Sequence, residues 1–190
     1  MANISLKPRA LLDNFDHNFG SVRLRELPSM AIVSMAVPQG DEAKCEAAIT
    51  KVWECDAPDN GRYSNSSDGK SRIMRTQPDQ YFALFDHDGD DARNTVHGAT
   101  GGSFWTTEQT DAWCVLEISG PQSREALARI CPLDLHKDVF GADHFGRTSM
   151  EHLGAFVLRT GEDEFILMSA RSSAKSFLHA VETSIKNVMG

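Results

Sequence analysis

The stretch Ala112–Leu135 (AWCVLEISGPQSREALARICPLDL) limits the possible folds more than any other part of the chain. Its 24 residues hold a strand, a turn, a helix and a helix stop. Cys114, Leu116 and Ile118 alternate onto one face and Trp113, Val115 and Glu117 onto the other, the period of a half-buried β-strand. Ser119-Gly120 then reads as the cap of a helix with Pro121 in its first turn, where a missing N–H costs nothing. Ala126, Leu127, Ile130 and Cys131 supply the buried stripe and Pro132 ends it. The unit contains no nucleophile–base pair and no metal-ligand spacing, so it speaks of fold rather than chemistry.

The same theme runs along the whole chain. Ala31–Val37 is a short apolar strand, and Gly40-Asp41 opens a helix with Cys45, Ala48, Ile49, Val52 and Trp53 on one face. Asp56–Asp68, rich in Pro, Asn, Gly and Ser, reads as an exposed loop. Arg72–Thr76 and Gln80–Phe85 form a hairpin around Gln77-Pro78-Asp79, followed by a weaker helix over Asp88–Gly98. The second half repeats this with strand 112–118, helix 121–131, strands 148–159 and 163–169, and helix 172–188. Ala174, Phe177, Leu178, Val181, Ile185 and Val188 make the most regular apolar stripe, with Phe177 at its centre and expected to be buried. These patterns predict an α+β fold of two pseudo-repeated β-α-β-β-α halves, with helices on one face of mainly antiparallel sheets. A single domain, 1–190, is expected, made of lobes at about 20–107 and 111–188.

Composition excludes several function classes. The net charge of −8 offers no basic stripe for counterion release, so no nucleic acid is expected. The first 20 residues carry Lys7, Arg9 and scattered polar groups without an apolar signal region. No apolar run approaches the roughly 18–20 residues that span a bilayer. A cytoplasmic chain without membrane contact is the expectation. Cys45, Cys55, Cys114 and Cys131 have neither CxxC spacing nor the density of a secreted scaffold, and read as reduced structural thiols.

Local imitations of ligand motifs fail on inspection. Ser64–Ser71 (SNSSDGKS) ends like a phosphate-binding loop but has Ser64 where the first glycine belongs. Asp86–Asp91 resembles a calcium loop, yet Asp91 and His97 stand where the glycine and the bidentate glutamate are needed. Its acidic residues complement a helix dipole instead. His97–Gly102 has the glycines a ligand loop could use, but reads better as a helix end with Gly98 at C′ followed by a linker. His136, His144 and His152, eight apart, share no helical face. No GxGxxG, GxSxG or HExxH motif is present. The purified chain should therefore be colourless and metal-free.

Several short words occur in a telling order: the strand and Ser-Gly-Pro turn of 113–121, Cys131–His136 (CPLDLH), Arg147-Thr148, Phe156–Gly161 ending in Arg-Thr-Gly, the aromatic strand Glu164–Met168, and Arg171 leading into the last helix. Val22–Pro28 (VRLRELP) and Pro78–Phe85 (PDQYFALF) extend the set more loosely. In this order they resemble the γ subunits of heterotetrameric sarcosine oxidases, whose fold is similar to the folate-binding domain of the glycine-cleavage T-protein. The Lys-Gly-Cys-Tyr-x-Gly-Gln-Glu segment of free-standing folate enzymes of that group is absent.

The resemblance implies a non-catalytic subunit of a flavin-dependent oxidase that demethylates sarcosine to glycine, with hydrogen peroxide and formaldehyde or methylene-tetrahydrofolate as co-products. It implies no cofactor on this chain; FAD, FMN, NAD, zinc and tetrahydrofolate would sit on the α, β and δ partners. The chain would pack chiefly on the folate-type domain of α. Phe104-Trp105, after the glycine run, and Phe140 with Phe145, beyond Leu135, are the candidate partner contacts, because large aromatics in loops are costly to leave in water. The competing reading is that they cover the ends of the chain's own sheets. A stand-alone folate-dependent one-carbon-transfer protein and a small-molecule-binding regulatory domain are the alternatives in other classes.

Overall fold

The computed structural model describes residues 10–190, so Lys7 and Arg9 lie outside it. A first hairpin, β1 (Asp16–Phe19) and β2 (Val22–Glu26), precedes β3 (Met30–Ala36), α1 (Glu42–Trp53) and the short β4 (Tyr63–Asn65). The hairpin β5 (Ser71–Gln77) and β6 (Gln80–Asp86) leads through α2 (Ala92–Ala99) to β7 (Trp105–Glu108). The second half holds β8 (Trp113–Ser119), α3 (Ser123–Ala128), β9 (Phe145–Met150), β10 (Leu153–Arg159), β11 (Glu164–Ala170) and α4 (Ala174–Met189).

All strand pairs are antiparallel, in a five-stranded sheet β4-β5-β6-β3-β7 and a six-stranded sheet β1-β2-β8-β11-β10-β9. The first half, β3-α1-β5-β6-α2-β7, is a split β-α-β arrangement with its last strand beside its first. The second half repeats it as β8-α3-β10-β11-α4, and the place beside β8 that corresponds to β7 is filled by β2, with Arg23 opposite Ser119 and Glu26 opposite Leu116. The expected duplication is therefore present. The expected lobe boundary is corrected: residues 16–26 belong to the second sheet, not to a first lobe starting near residue 20.

Side-chain parity sorts the interior into three layers. Ala31, Val33 and Met35 point from β3 to Cys45, Ile49 and Trp53 of α1 and Val96 of α2. Cys114, Leu116 and Ile118 point from β8 to Leu127 of α3 and to Phe177, Val181 and Ile185 of α4. The opposite faces meet each other, with Met30, Ile32, Met74 and Leu84 against Val115, Phe156, Leu158, Ile166 and Met168. The sheets thus lie back to back between two helical layers, which is why their central strands are near-continuous apolar runs. Strand 112–118 is buried on both faces rather than half-buried; Val115 is only 5% exposed.

Local geometry corrects four further expectations. Gly120 turns the chain at φ +117°, and a Cβ there would overlap the Ser21 carbonyl. The helix consequently starts only at Ser123, whose Oγ donates to the Asp163 carbonyl at 2.9 Å, and Gln122 rather than Ser119-Gly120 is its N-cap. Residues 148–159 are not one strand but part of a hairpin, reversed by Glu151 and His152 at φ 46° and 69°. Gly98 lies inside α2, and left-handed conformations appear at Gly101 and Gly102. Within 56–68, Tyr63 is buried and its hydroxyl, with one proton to share between them, lies within hydrogen-bond distance of the carbonyls of Arg159 and Ala142, tying β4 to the end of β10.

Candidate partner interface

The four aromatics expected at a partner surface separate sharply. Phe104 is 1% exposed and packs edge-on to Tyr81 at 6.1 Å, on the helical side of the first sheet. Beneath α1 the Cys45 thiol donates to the Ser103 carbonyl at 3.1 Å, holding that segment down. Phe140 lies in the second helical layer and Phe145 between the sheets, with its ring 5.9 Å from Phe156. These three are core residues, which corrects their assignment as partner contacts: each closes an end of the chain's own sheets.

Trp105 goes the other way. It opens β7 and is 72% exposed. Its register partner on β3 is Ala36, and Thr107 pairs with Ser34. Cross-strand partners share a face, so Trp105 lies on the side that, further along β3, packs against the second sheet. At this end that cover has stopped. The glycines at 101–102, at φ 59° and 71°, let the chain swing so that adjacent residues 104 and 105 reach opposite faces. The outer edge of β7 is covered: the Arg93 guanidinium donates to the Thr106 carbonyl at 3.3 Å, and the Arg93 backbone N–H donates to Glu108 Oε2 at 2.9 Å. Any contact here is made through the sheet face.

Val139, 54% exposed, is a second large apolar side chain on the surface that sequence reasoning missed. It sits in the irregular segment 132–144, where no periodicity separates inward from outward positions. That segment is held by two arginines. Arg159, 8% exposed, donates from Nη1 to the Phe140 carbonyl at 2.7 Å and from Nε to that of Gly161 at 2.9 Å. Arg124 donates to the carbonyls of Leu135 and Glu162 and lies 5.5 Å over the Phe165 ring. The Arg-Thr-Gly word at 159–161 thus orders a loop through carbonyl contacts.

The remaining candidates hold each other rather than a ligand. His87 Nε2 is 2.9 Å from Asp91 Oδ1, and His97 Nδ1 is 3.3 Å from Thr106 Oγ1. Among the described residues no cluster of His, Cys, Asp and Glu could hold a metal ion. The four cysteines are free, and burial pushes the Cys114 thiol up to about 12, leaving it protonated and unreactive at neutral pH.

No family model matches the chain. The sarcosine oxidase subunit gamma of an Arthrobacter species is 25% identical over 150 residues, spanning 78% of this chain and 72% of that protein. The counterpart in Corynebacterium sp. strain P-1 is 24% identical over 161 residues, 84% of this chain and 78% of that one. The chain is similar in sequence to sarcosine oxidase γ subunits. A chain of the heterotetrameric sarcosine oxidase from Corynebacterium sp. U-96 superposes with a TM-score of 0.76 at 21% identity, over 89% of this chain and 86% of that one. The glycine-cleavage aminomethyltransferase T of Bartonella henselae gives 0.63 at 15% identity, over 85% of this chain and 45% of that one. The fold is thus that of a chain of a heterotetrameric sarcosine oxidase and of part of a T-protein.

Proposed function

We propose that this chain is the γ-type subunit of a heterotetrameric oxidase of sarcosine or a closely related N-methyl amino acid. The observation that carries the reading is the match to two γ subunits over 78% and 84% of this chain. The assembly would oxidise the N-methyl C–N bond to an imine with electrons passing through flavin to oxygen. Hydrolysis of the imine gives formaldehyde and glycine; capture by tetrahydrofolate gives the methylene-folate. FAD, FMN, NAD, zinc and folate would be carried by the α, β and δ partners, with no catalytic group supplied here.

The role of the chain is architectural. A reactive imine survives transfer between sites only where water is excluded, and a rigid back-to-back sandwich with a buried clamp such as Arg159 is suited to walling such a passage. The exposed Trp105 face is the proposed contact with the large subunit, since tryptophan is a frequent anchor of interfaces. Co-expression of the tagged chain with oxidase subunits, followed by sarcosine-dependent peroxide assay of what co-purifies, tests the reading. Retention of an active complex supports it, and recovery of the chain alone beside an active oxidase rejects it.

A further inference from the structure

At the end of the molecule where the sheets diverge, a cavity of about 240 Å³ opens between them. Its inner wall is an aromatic cluster: Trp113 lies 5.4 Å from Phe156 and 6.2 Å from Phe82, both edge-on, and Phe82 lies 6.1 Å from Phe156. Ser34 and Gln80, hydrogen-bonded to each other, form one side of its rim. Arg147 forms the other, its guanidinium 5.8 Å over the Phe156 ring. We propose that this cleft binds a small planar monoanion, an aromatic or heteroaromatic carboxylate.

Charge is the first argument. The chain has 27 acidic against 19 basic residues, yet the lining of this cleft contains no carboxylate. Arg147 is exposed, and among the described residues it makes no ion pair. An unpaired guanidinium beside neutral amides and hydroxyls favours one negative charge, and its planar fork suits a carboxylate. Shape is the second. Phe82, Trp113 and Phe156 present ring faces and edges to the cleft, surfaces against which a planar π-system packs well. A cavity of roughly 150 Å³ holds benzene, so about 240 Å³ gives room for one substituted ring. Donors are the third. Ser34, Thr76, Gln77, Gln80 and Gln109 line the cleft with hydroxyl and amide groups that can donate to a bound carboxylate.

The cleft is built entirely from this chain, so the inference stands or falls separately from the subunit reading. It is tested on the ¹⁵N-labelled full chain, whose three tryptophans give three indole signals, with the Trp113 signal identified through Trp113→Phe. Benzoate is the probe and benzamide its neutral isostere. Benzoate should move the Trp113 signal to saturation at roughly millimolar concentration, as fits about nine heavy atoms, while the signal of Trp53 beneath α1 stays put. Benzamide should bind at least tenfold more weakly. Arg147→Gln, an exposed substitution, should lose the same tenfold for benzoate while its spectrum remains that of a folded protein. A Trp113 signal indifferent to benzoate, an equal response to both probes, or an unchanged affinity in Arg147→Gln would overturn the proposal.

Discussion

Cys114 is the residue whose own chemistry the fold alters most. Its ordinary value of 9.0 rises to about 12 because burial disfavours the thiolate. Above pH 9 the unfolded chain ionises first and holds fewer protons, so stability falls with pH; the contribution is complete below about 9 and lost on the way to 12. Between pH 9 and 11 the wild type should lose up to about 1.4 kcal/mol per pH unit more than Cys114→Ala, measured by urea unfolding at each pH. Phe177, fully buried on the inner face of α4, is the matching apolar test. Phe177→Ala should cost about 3–5 kcal/mol through lost transfer energy and the cavity left behind, and a loss below about 1 kcal/mol would contradict the packing described. Both positions were legible in the sequence, because each sits in a long regular period. The fates of Phe104 and Trp105 were not: β7 has four residues, too few for a period to declare itself, and the preceding glycines permit either orientation.

Among the elements, the hairpin β9–β10 shows where local reading stops. Glu151 and His152 occupy left-handed backbone without the Asn-Gly chemistry that marks such turns, so Thr148–Arg159 reads as one strand. The substitution pair Glu151→Asn and His152→Gly should suit the turn better and stabilise the chain by roughly 1 kcal/mol, the left-handed strain relieved less the chain entropy that glycine adds, seen as a higher denaturation midpoint with an unchanged slope. No change, or a loss, would mean that these side chains hold the turn by contacts of their own. The hairpin β5–β6 was legible because Pro78-Asp79 is turn chemistry. Helix α3 was overextended because a periodic stripe does not reveal that Gly120 must first turn the chain against Ser21.

For the molecule as a whole, alternation within strands announced α+β halves, but no local pattern says that β2 completes the sheet of β8 or that two sheets share a layer. Those are long-range pairings, invisible to a window of a dozen residues. The same limit applies to the partner surface: burial decides which aromatic is free, and burial is a property of the finished fold. With Trp105 72% exposed, Trp105→Ala should leave the unfolding midpoint of the isolated chain within about 0.5 kcal/mol of wild type. The same variant should weaken assembly with the large subunit by at least about 2 kcal/mol, the threshold of an interface hot spot. An unfolded variant with undiminished assembly would place Trp105 in the core instead. The most direct measurement is native mass spectrometry of the four co-expressed subunits with and without this chain. The account predicts a heterotetramer containing one copy of it, and a sarcosine-dependent oxidase that fails to assemble when it is omitted. A complete, active oxidase formed without the chain, which then remains free in solution, would contradict the account.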